Sequence, residues 1–344
     1  MTNQQIFIII GRGNRPILID VTYKKNKKGK RVVVFSHGFK GFKDWGAFNQ
    51  IAETFAENNF VFVKFNFSHN GTTSSDPIEF VDLKAFGNNN FCKELDDLGF
   101  VLDWVEENFN PKEISLFGHS RGGGISMLKT AEENRISKVV SWASPSDFTN
   151  KMPKERIALW EEKGVAFVYN GRTKQNMPMY FQFYENCIAN KDRIDIKKAV
   201  EGIKIPQLII HGSEDPTVKL REAKNLQKWN PDSQLHIIKG ADHVLGAFHP
   251  YDLEKYPPPL EPRHDPGGFD AKGKGLSKKN IKDANKKAFQ KLKLSKKNLA
   301  GMLSEADEEL KRIFKKKSAF KRWKISIRYY KKKEIGRASC RERV

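Results

Sequence analysis

The run Glu113-Ile114-Ser115-Leu116-Phe117-Gly118-His119-Ser120-Arg121-Gly122-Gly123-Gly124 passes from an apolar strand pattern to a helix pattern within one residue. Glu113–Phe117 predicts a strand, and Arg121–Asn134 predicts a helix. So abrupt a turn forces Ser120 into a strained backbone conformation. Its neighbours two positions away must then lack a Cβ, and Gly118 and Gly122 do. Gly123 and Gly124 allow the helix to approach the strand still more closely. The turn lifts the Ser120 hydroxyl above the sheet edge and sets it at a helix N-terminus, where negative charge is favoured. G-x-S-x-G is a short pattern, and its weight comes from the strand before it and the helix after it. The plain alternative is a glycine-rich strand-to-helix turn with an incidental serine.

Outward from this turn, β-rich runs alternate with helix-period segments. The candidate strands are 5–10, 16–23, 31–36, 60–67, 113–117, 138–142, 206–211 and 234–239. The first two are joined by the turn-rich Gly11-Arg12-Gly13-Asn14-Arg15, which reads as a hairpin. Val32-Val33-Val34-Phe35 is apolar throughout, the pattern of a strand covered on both faces. Phe91, Leu95, Leu98, Leu102 and Val105 mark one face of an amphipathic helix. Further helices are expected over 46–57, 121–134 and 218–229. Strands alternating with helices imply a mainly parallel sheet with right-handed crossovers. The fold class is α/β, with eight strands flanked by helices.

Two further motifs sit where such a sheet would bring them beside Ser120. His37-Gly38-Phe39-Lys40-Gly41 follows the third strand. His211-Gly212-Ser213-Glu214-Asp215-Pro216 follows the seventh, and Gly240-Ala241-Asp242-His243 the eighth. In this order, and with Gly118–Gly122, they resemble the α/β-hydrolase superfamily. The likeness is closest to its dienelactone-hydrolase, cinnamoyl-esterase and prolyl-oligopeptidase-like branch and covers roughly residues 1–250. The resemblance implies a serine hydrolase cleaving a small-molecule ester through an acyl-enzyme, without metal or organic cofactor.

Each role follows from the chemistry. A serine hydroxyl attacks poorly unless a base takes its proton, and His243 is the expected base. Asp215 would hold the imidazole tautomer and face the imidazolium. The backbone N–H groups of Phe39 and Arg121 would receive the oxyanion. Asp215 is preferred to its neighbour Glu214 because it immediately precedes Pro216. Asp242 reads as a loop-structuring carboxylate. His249 ranks below His243 as a base, lying six residues further on. His37 and His211 read as loop-shaping hydrogen-bonders, and His69 and Asn70 as pocket-border residues.

Residues 144–201 separate the sixth and seventh strands by far more than an ordinary connection. Trp160, Phe167, Tyr169, Met177, Met179, Tyr180, Phe181, Phe183 and Tyr184 lie there. They are expected mainly to form that insertion's own core, and the insertion to act as a cap. The core domain is then 1–143 with 202–255.

The 344 residues carry 62 Lys and Arg against 41 Asp and Glu, a net charge of +21. Residues 1–260 hold 35 basic and 31 acidic side chains, net +4; residues 261–344 hold 27 and 10, net +17. The basic balance thus belongs to an extension over 256–333, which reads as disordered, chimeric or anion-binding. Interleaved bases and aromatics, such as Lys321-Arg322-Trp323-Lys324, leave open a nucleic-acid-binding protein built on an inert hydrolase fold. The core charge makes no case for nucleic acid. Residues 334–344 resemble a translated sequencing adapter and are set apart from the fold. Cys92, Cys187 and Cys340 have no metal-ligand spacing and are too few for a disulfide framework. No apolar run reaches the ~20 residues of a membrane span, and Ile6–Ile10 is shorter than a secretory h-region. A cytoplasmic ester hydrolase is the expectation, with a prolyl-oligopeptidase-like peptidase as the alternative enzyme.

Overall fold

Apolar, β-branched runs become the strands β1 (Asn3–Ile10), β2 (Pro16–Tyr23), β3 (Arg31–Ser36), β4 (Val61–Phe65), β5 (Glu113–His119) and β6 (Ile136–Trp142). After an interposed hairpin, β7 (Val165–Asn170) and β8 (Gln175–Tyr180), come β9 (Gln207–Gly212) and β10 (Gln234–Ile238). The structure is a computed structural model and describes residues 2–24, 29–149 and 152–250. The extension expected over 256–333, the adapter-like 334–344 and residues 251–255 of the expected core lie outside the described residues.

Eight strands form one sheet in the order β1-β2-β4-β3-β5-β6-β9-β10. β1–β2 and β2–β4 pair antiparallel, and every other neighbouring pair is parallel. All eight expected strands are present, with ends shifted by at most two residues. The loops that follow β3, β5, β9 and β10 therefore leave the same edge of the sheet. That edge carries the motifs.

Period-two alternation divides the core between the two faces. Val32, Val34 and Leu116 pack with Leu95, Leu98 and Leu102 of α3 (Phe91–Phe109) and Ile125 of α4 (Arg121–Glu132). Full burial of each such side chain contributes about 1.5–3 kcal/mol. On the opposite face Phe35 and Phe62 meet the rings of Phe48 and Phe55 from α1 (Phe48–Glu57), and Phe35 also meets Phe117. α3 begins where the Asn90 side chain accepts the Lys93 N–H at 3.0 Å and ends at Asn110 in the left-handed region. The remaining helix of the main rhythm, α8 (Leu220–Trp229), follows β9.

Asp20 of β2 stands opposite Lys64 of β4, both buried. Lys64 donates to Asp20 at 2.7 Å and also to Asp44; Lys43 donates to Asp20 at 2.8 Å and to Asp44 at 2.5 Å. Two lysines and two aspartates thus balance inside the sheet's α1 side. At the outer end, β1 carries no charged side chain. Phe7 packs on Trp104, whereas Ile6, Ile8 and Ile10 are 65%, 54% and 59% exposed.

The segment between β6 and β9 holds α5 (Lys154–Lys163), the hairpin, α6 (Gln182–Ala189) and α7 (Ile196–Gly202). Its aromatic and methionine side chains split three ways, which corrects the expectation that they mainly pack together. Trp160 does gather Phe181, Phe183 and Tyr184. Met177, however, buries itself against Phe42, Phe80 and Phe86 from earlier in the chain, and Phe183 also packs on Phe91. Phe167 and Tyr169 remain exposed. A short helix, α2 (Leu83–Gly87), meets β8 so closely that a Cβ on Gly87 would lie 2.7 Å from the Tyr180 ring. Among the described residues no helix is long and apolar enough to cross a membrane.

Candidate active site

Ser120 joins β5 to α4 with φ 53° and ψ −122°, a conformation that side chains rarely adopt. Its N–H donates to Trp142 O at 2.7 Å, and its carbonyl accepts the Gly123 N–H at 2.9 Å. The flanking glycines are sterically required. A Cβ on Gly118 would fall 2.1 Å from Gly122 O, and one on Gly122 would fall 2.3 Å from Ser36 O. The helix thus abuts the end of β3, and Gly38 of the next loop lies directly against the Ser120 side chain.

The loops after β9 and β10 are tied to each other. Glu214 N–H donates to Ala241 O at 3.0 Å, and Gly240 N–H donates to Ser213 Oγ at 2.7 Å. They bring Asp215 and His243 together, with Nδ1 of His243 donating to Oδ2 of Asp215 at 2.8 Å. Oδ1 of Asp215 accepts the N–H groups of Thr217 at 2.8 Å and Val218 at 2.9 Å. Burial pushes this carboxyl up, but His243 and the two N–H donors outweigh it and hold Asp215 below the usual carboxylate range. Glu214 is exposed.

The other candidates fall into structural positions. Asp242 accepts from Val244 and Gly246 N–H through Oδ1. His249 Nδ1 accepts the Gly46 N–H at 3.2 Å, and its ring lies against Phe42. Nε2 of His211 donates to Val218 O at 2.8 Å. Nδ1 of His37 donates to Gly38 O at 2.9 Å, and burial lowers this ring to about 4, so it stays neutral. Asn70 braces its own loop through Thr72 and reaches Gly41 O, while His69 contacts Ser68.

Two connections escaped the sequence reading. His119, between Gly118 and Ser120, donates from Nε2 to His243 O at 3.1 Å, and the two rings are 4.9 Å apart. Burial, followed by the nearby His243, lowers His119 to about 3. The Arg121 side chain folds back so that its guanidinium stacks on Phe39 at 4.2 Å and on Phe91 at 4.8 Å. It pairs at 3.1 Å with Glu94, which also accepts from Asn89 at 2.7 Å. Burial raises Glu94 more than Arg121 and Asn89 lower it. Phe39 and Arg121, the two expected oxyanion donors, are therefore joined through the Arg121 side chain. As the first residue of α4, Arg121 keeps its N–H outside the helix's own ladder. A cavity of about 10 Å³, room for one water, is lined by Phe39, Phe86, Arg121, Met179 and Phe183 among others.

Residues 27–179 match the family model described as "Serine aminopeptidase, S33". The chain is 26% identical over 251 residues to "Putative esterase/lipase 2" of Mycoplasma pneumoniae, spanning 66% of this chain and 87% of that protein. Two further relatives, at 22% identity, are matched over less than half of their own length. Among solved structures, Est1E of Butyrivibrio proteoclasticus with ferulic acid bound superposes with a TM-score of 0.56 at 18% identity, covering 70% of this chain and 91% of that one. A hydrolase structure from Agrobacterium vitis S4 also gives 0.56, at 15% identity, covering 85% and 99%. These structural likenesses concern the fold. Sheet order and the solved structures give the chain the α/β-hydrolase fold, and the family model over residues 27–179 together with the esterase/lipase relative supports a serine hydrolase.

Proposed function

We propose that the chain cleaves a small carboxylic ester through an acyl-enzyme, with Ser120 as nucleophile, His243 as base and Asp215 as its orienting partner. The observation that carries this reading is the 2.8 Å Asp215–His243 hydrogen bond on the sheet edge where the strained serine also stands. With Nδ1–H directed at Asp215, Nε2 keeps the lone pair that takes the Ser120 proton. Attack joins Oγ to the acyl carbon, and the carbonyl oxygen becomes an oxyanion received by the N–H groups of Phe39 and Arg121. Collapse breaks the ester bond, and His243 returns the proton to the departing alkoxide. Water repeats the sequence on the acyl-enzyme, releasing the acid. Asp215, held ionised, faces the imidazolium formed in both halves.

Residues 144–201 act as the cap of this site in our reading, over a core of 1–143 and 202–255. A peptidase reading has the family-model match in its favour. An aminopeptidase would need a carboxylate for the substrate's amino group; Glu94 answers Arg121 and Asn89 through Oε1 and keeps Oε2 unpartnered, so anilide cleavage decides between the readings.

The test is labelling of the full chain with a fluorophosphonate, followed by p-nitrophenyl esters of increasing chain length and aminoacyl p-nitroanilides. Wild type is expected to label at Ser120 and to turn over the p-nitrophenyl esters, the chain-length series reading its acyl preference. Ser120→Ala should neither label nor turn over ester, a loss of at least about 10³-fold. A folded wild-type protein that fails to label would sink the assignment. Preferential anilide cleavage would favour the peptidase.

A further inference from the structure

Away from the serine turn, a cavity of about 420 Å³ opens between the turn at Arg12–Asn14, the start of α3 and α6. Its wall carries three cations (Arg12, Lys93 and Arg193), the amides of Asn90, Gln182, Asn186 and Asn190, and the Cys92 thiol. No carboxylate lines it, and it shares no lining residue with the small cavity at Phe39 and Arg121. The volume lies within the ~300–1,000 Å³ of small-molecule sites.

Two of the cations are held by carboxylates outside the lining: Asp96 accepts from Arg12 and, at 2.9 Å, from Arg193, and Glu132 accepts from Arg193 at 2.8 Å. Among the described residues Lys93 has no carboxylate at ion-pair distance, and its ammonium donates to Asn88 O. Burial lowers Lys93, and the charge of Arg12 lowers it further, so positive charge is crowded at this wall. Burial raises the Cys92 thiol, which therefore adds no negative charge. Asn90 and Cys92 are almost fully buried, giving the cavity a floor screened from bulk water. Oδ1 of Asn186 is buried and accepts no hydrogen bond. It is an acceptor that a hydroxyl can satisfy.

We propose that this cavity binds a small, hydroxyl-bearing phosphate monoester, with the phosphate between Arg12, Lys93 and Arg193 and the hydroxyls on the amides of Asn186 and Asn190. Guanidinium forks and the lysine ammonium give charge-assisted hydrogen bonds to phosphate oxygens. The amides both donate and accept, as hydroxyl groups require. The site lies on the seam with α6, because Gln182 accepts from Asn90 at 2.8 Å and donates to Asn89 O at 2.9 Å. It stands independently of which ester the serine centre takes.

Calorimetric titration of the full chain with glucose 6-phosphate, glucose and inorganic phosphate tests the proposal. Glucose 6-phosphate should bind saturably, more tightly than inorganic phosphate, and glucose alone should not bind. Lys93→Gln and, separately, the more exposed Arg12→Gln should each weaken binding by roughly tenfold, while Ser120→Ala should bind as wild type does. Absence of saturable binding overturns the proposal. So does binding that survives both charge substitutions, which would place the anion on the basic C-terminal residues instead. Equal affinity for inorganic phosphate would overturn the role given to the amides.

Discussion

His119 links two loops whose relative position governs the proposed chemistry. Its Nε2–H reaches the carbonyl of His243, while its ring packs on Trp142 with centroids 4.4 Å apart. Replacing it by Phe keeps the ring but leaves the His243 carbonyl without this donor. His119→Phe should therefore lower stability by about 1–3 kcal/mol, read as a shifted urea midpoint at unchanged slope. An unshifted midpoint would show that the hydrogen bond contributes nothing. At this scale the sequence was informative where chemistry is local. A strained serine demands its two glycines, and Asp215 and His243 each close a strand-end loop. It was silent about Arg121 stacking on Phe39 and pairing with Glu94. Those partners lie 82 and 27 positions away, and Glu94 falls between the apolar positions that mark the buried face of α3.

Among the elements, β4 shows how a strand can read as apolar and still hold a charge network. Lys64 interrupts Val61-Phe62-Val63, and its partners come from β2 and from the loop after β3. Lys64→Met leaves Asp20 and Asp44 sharing Lys43 alone, a buried imbalance expected to cost about 3–5 kcal/mol. Lys64→Met with Asp20→Asn restores the balance and should cost distinctly less than the single change. A double-mutant cycle on unfolding midpoints measures the coupling. The eight sheet strands were legible because each carries a short run of mostly β-branched or other apolar residues between helix-period or turn-rich segments. The hairpin β7–β8 was not. Gln175-Asn176-Met177-Pro178-Met179-Tyr180 includes a proline and has no strict alternation, so its aromatics suggested a packed insertion rather than paired strands. The short α2 was missed as well, since five residues give no helical period.

For the molecule as a whole, buried histidines set the acid response. His37 and His69 are lowered to about 4 and His119 to about 3, in each case first by burial. The unfolded chain takes up these protons first, so their contribution to stability is complete above pH ~6.5 and is lost as pH falls toward the folded values. Asp97 opposes them. Burial raises it to about 7 despite its bond from Ser68 N–H, so its contribution is present below pH ~4 and lost as pH rises through 7. His249 is lowered by burial like the other histidines, and Glu94 and Glu53 are raised by burial like Asp97. Four histidines outweigh three carboxylates as pH falls from ~6.5 toward 4, so urea midpoints should decline over that range, and Asp97→Asn should reduce any decline between pH ~6.5 and ~7. A profile that is flat across this range would contradict the assignment. Sheet order also bears on how the chain matures at the ribosome. From β3 outward through β5, β6, β9 and β10, each later strand docks on the edge its predecessor leaves. The serine turn is synthesised and can be seated early, but Asp215 and His243 arrive with the last two strands. A nascent chain stalled before β10 would thus display the serine without its proposed base and, on that reading, stay inert toward esters until the sheet is complete.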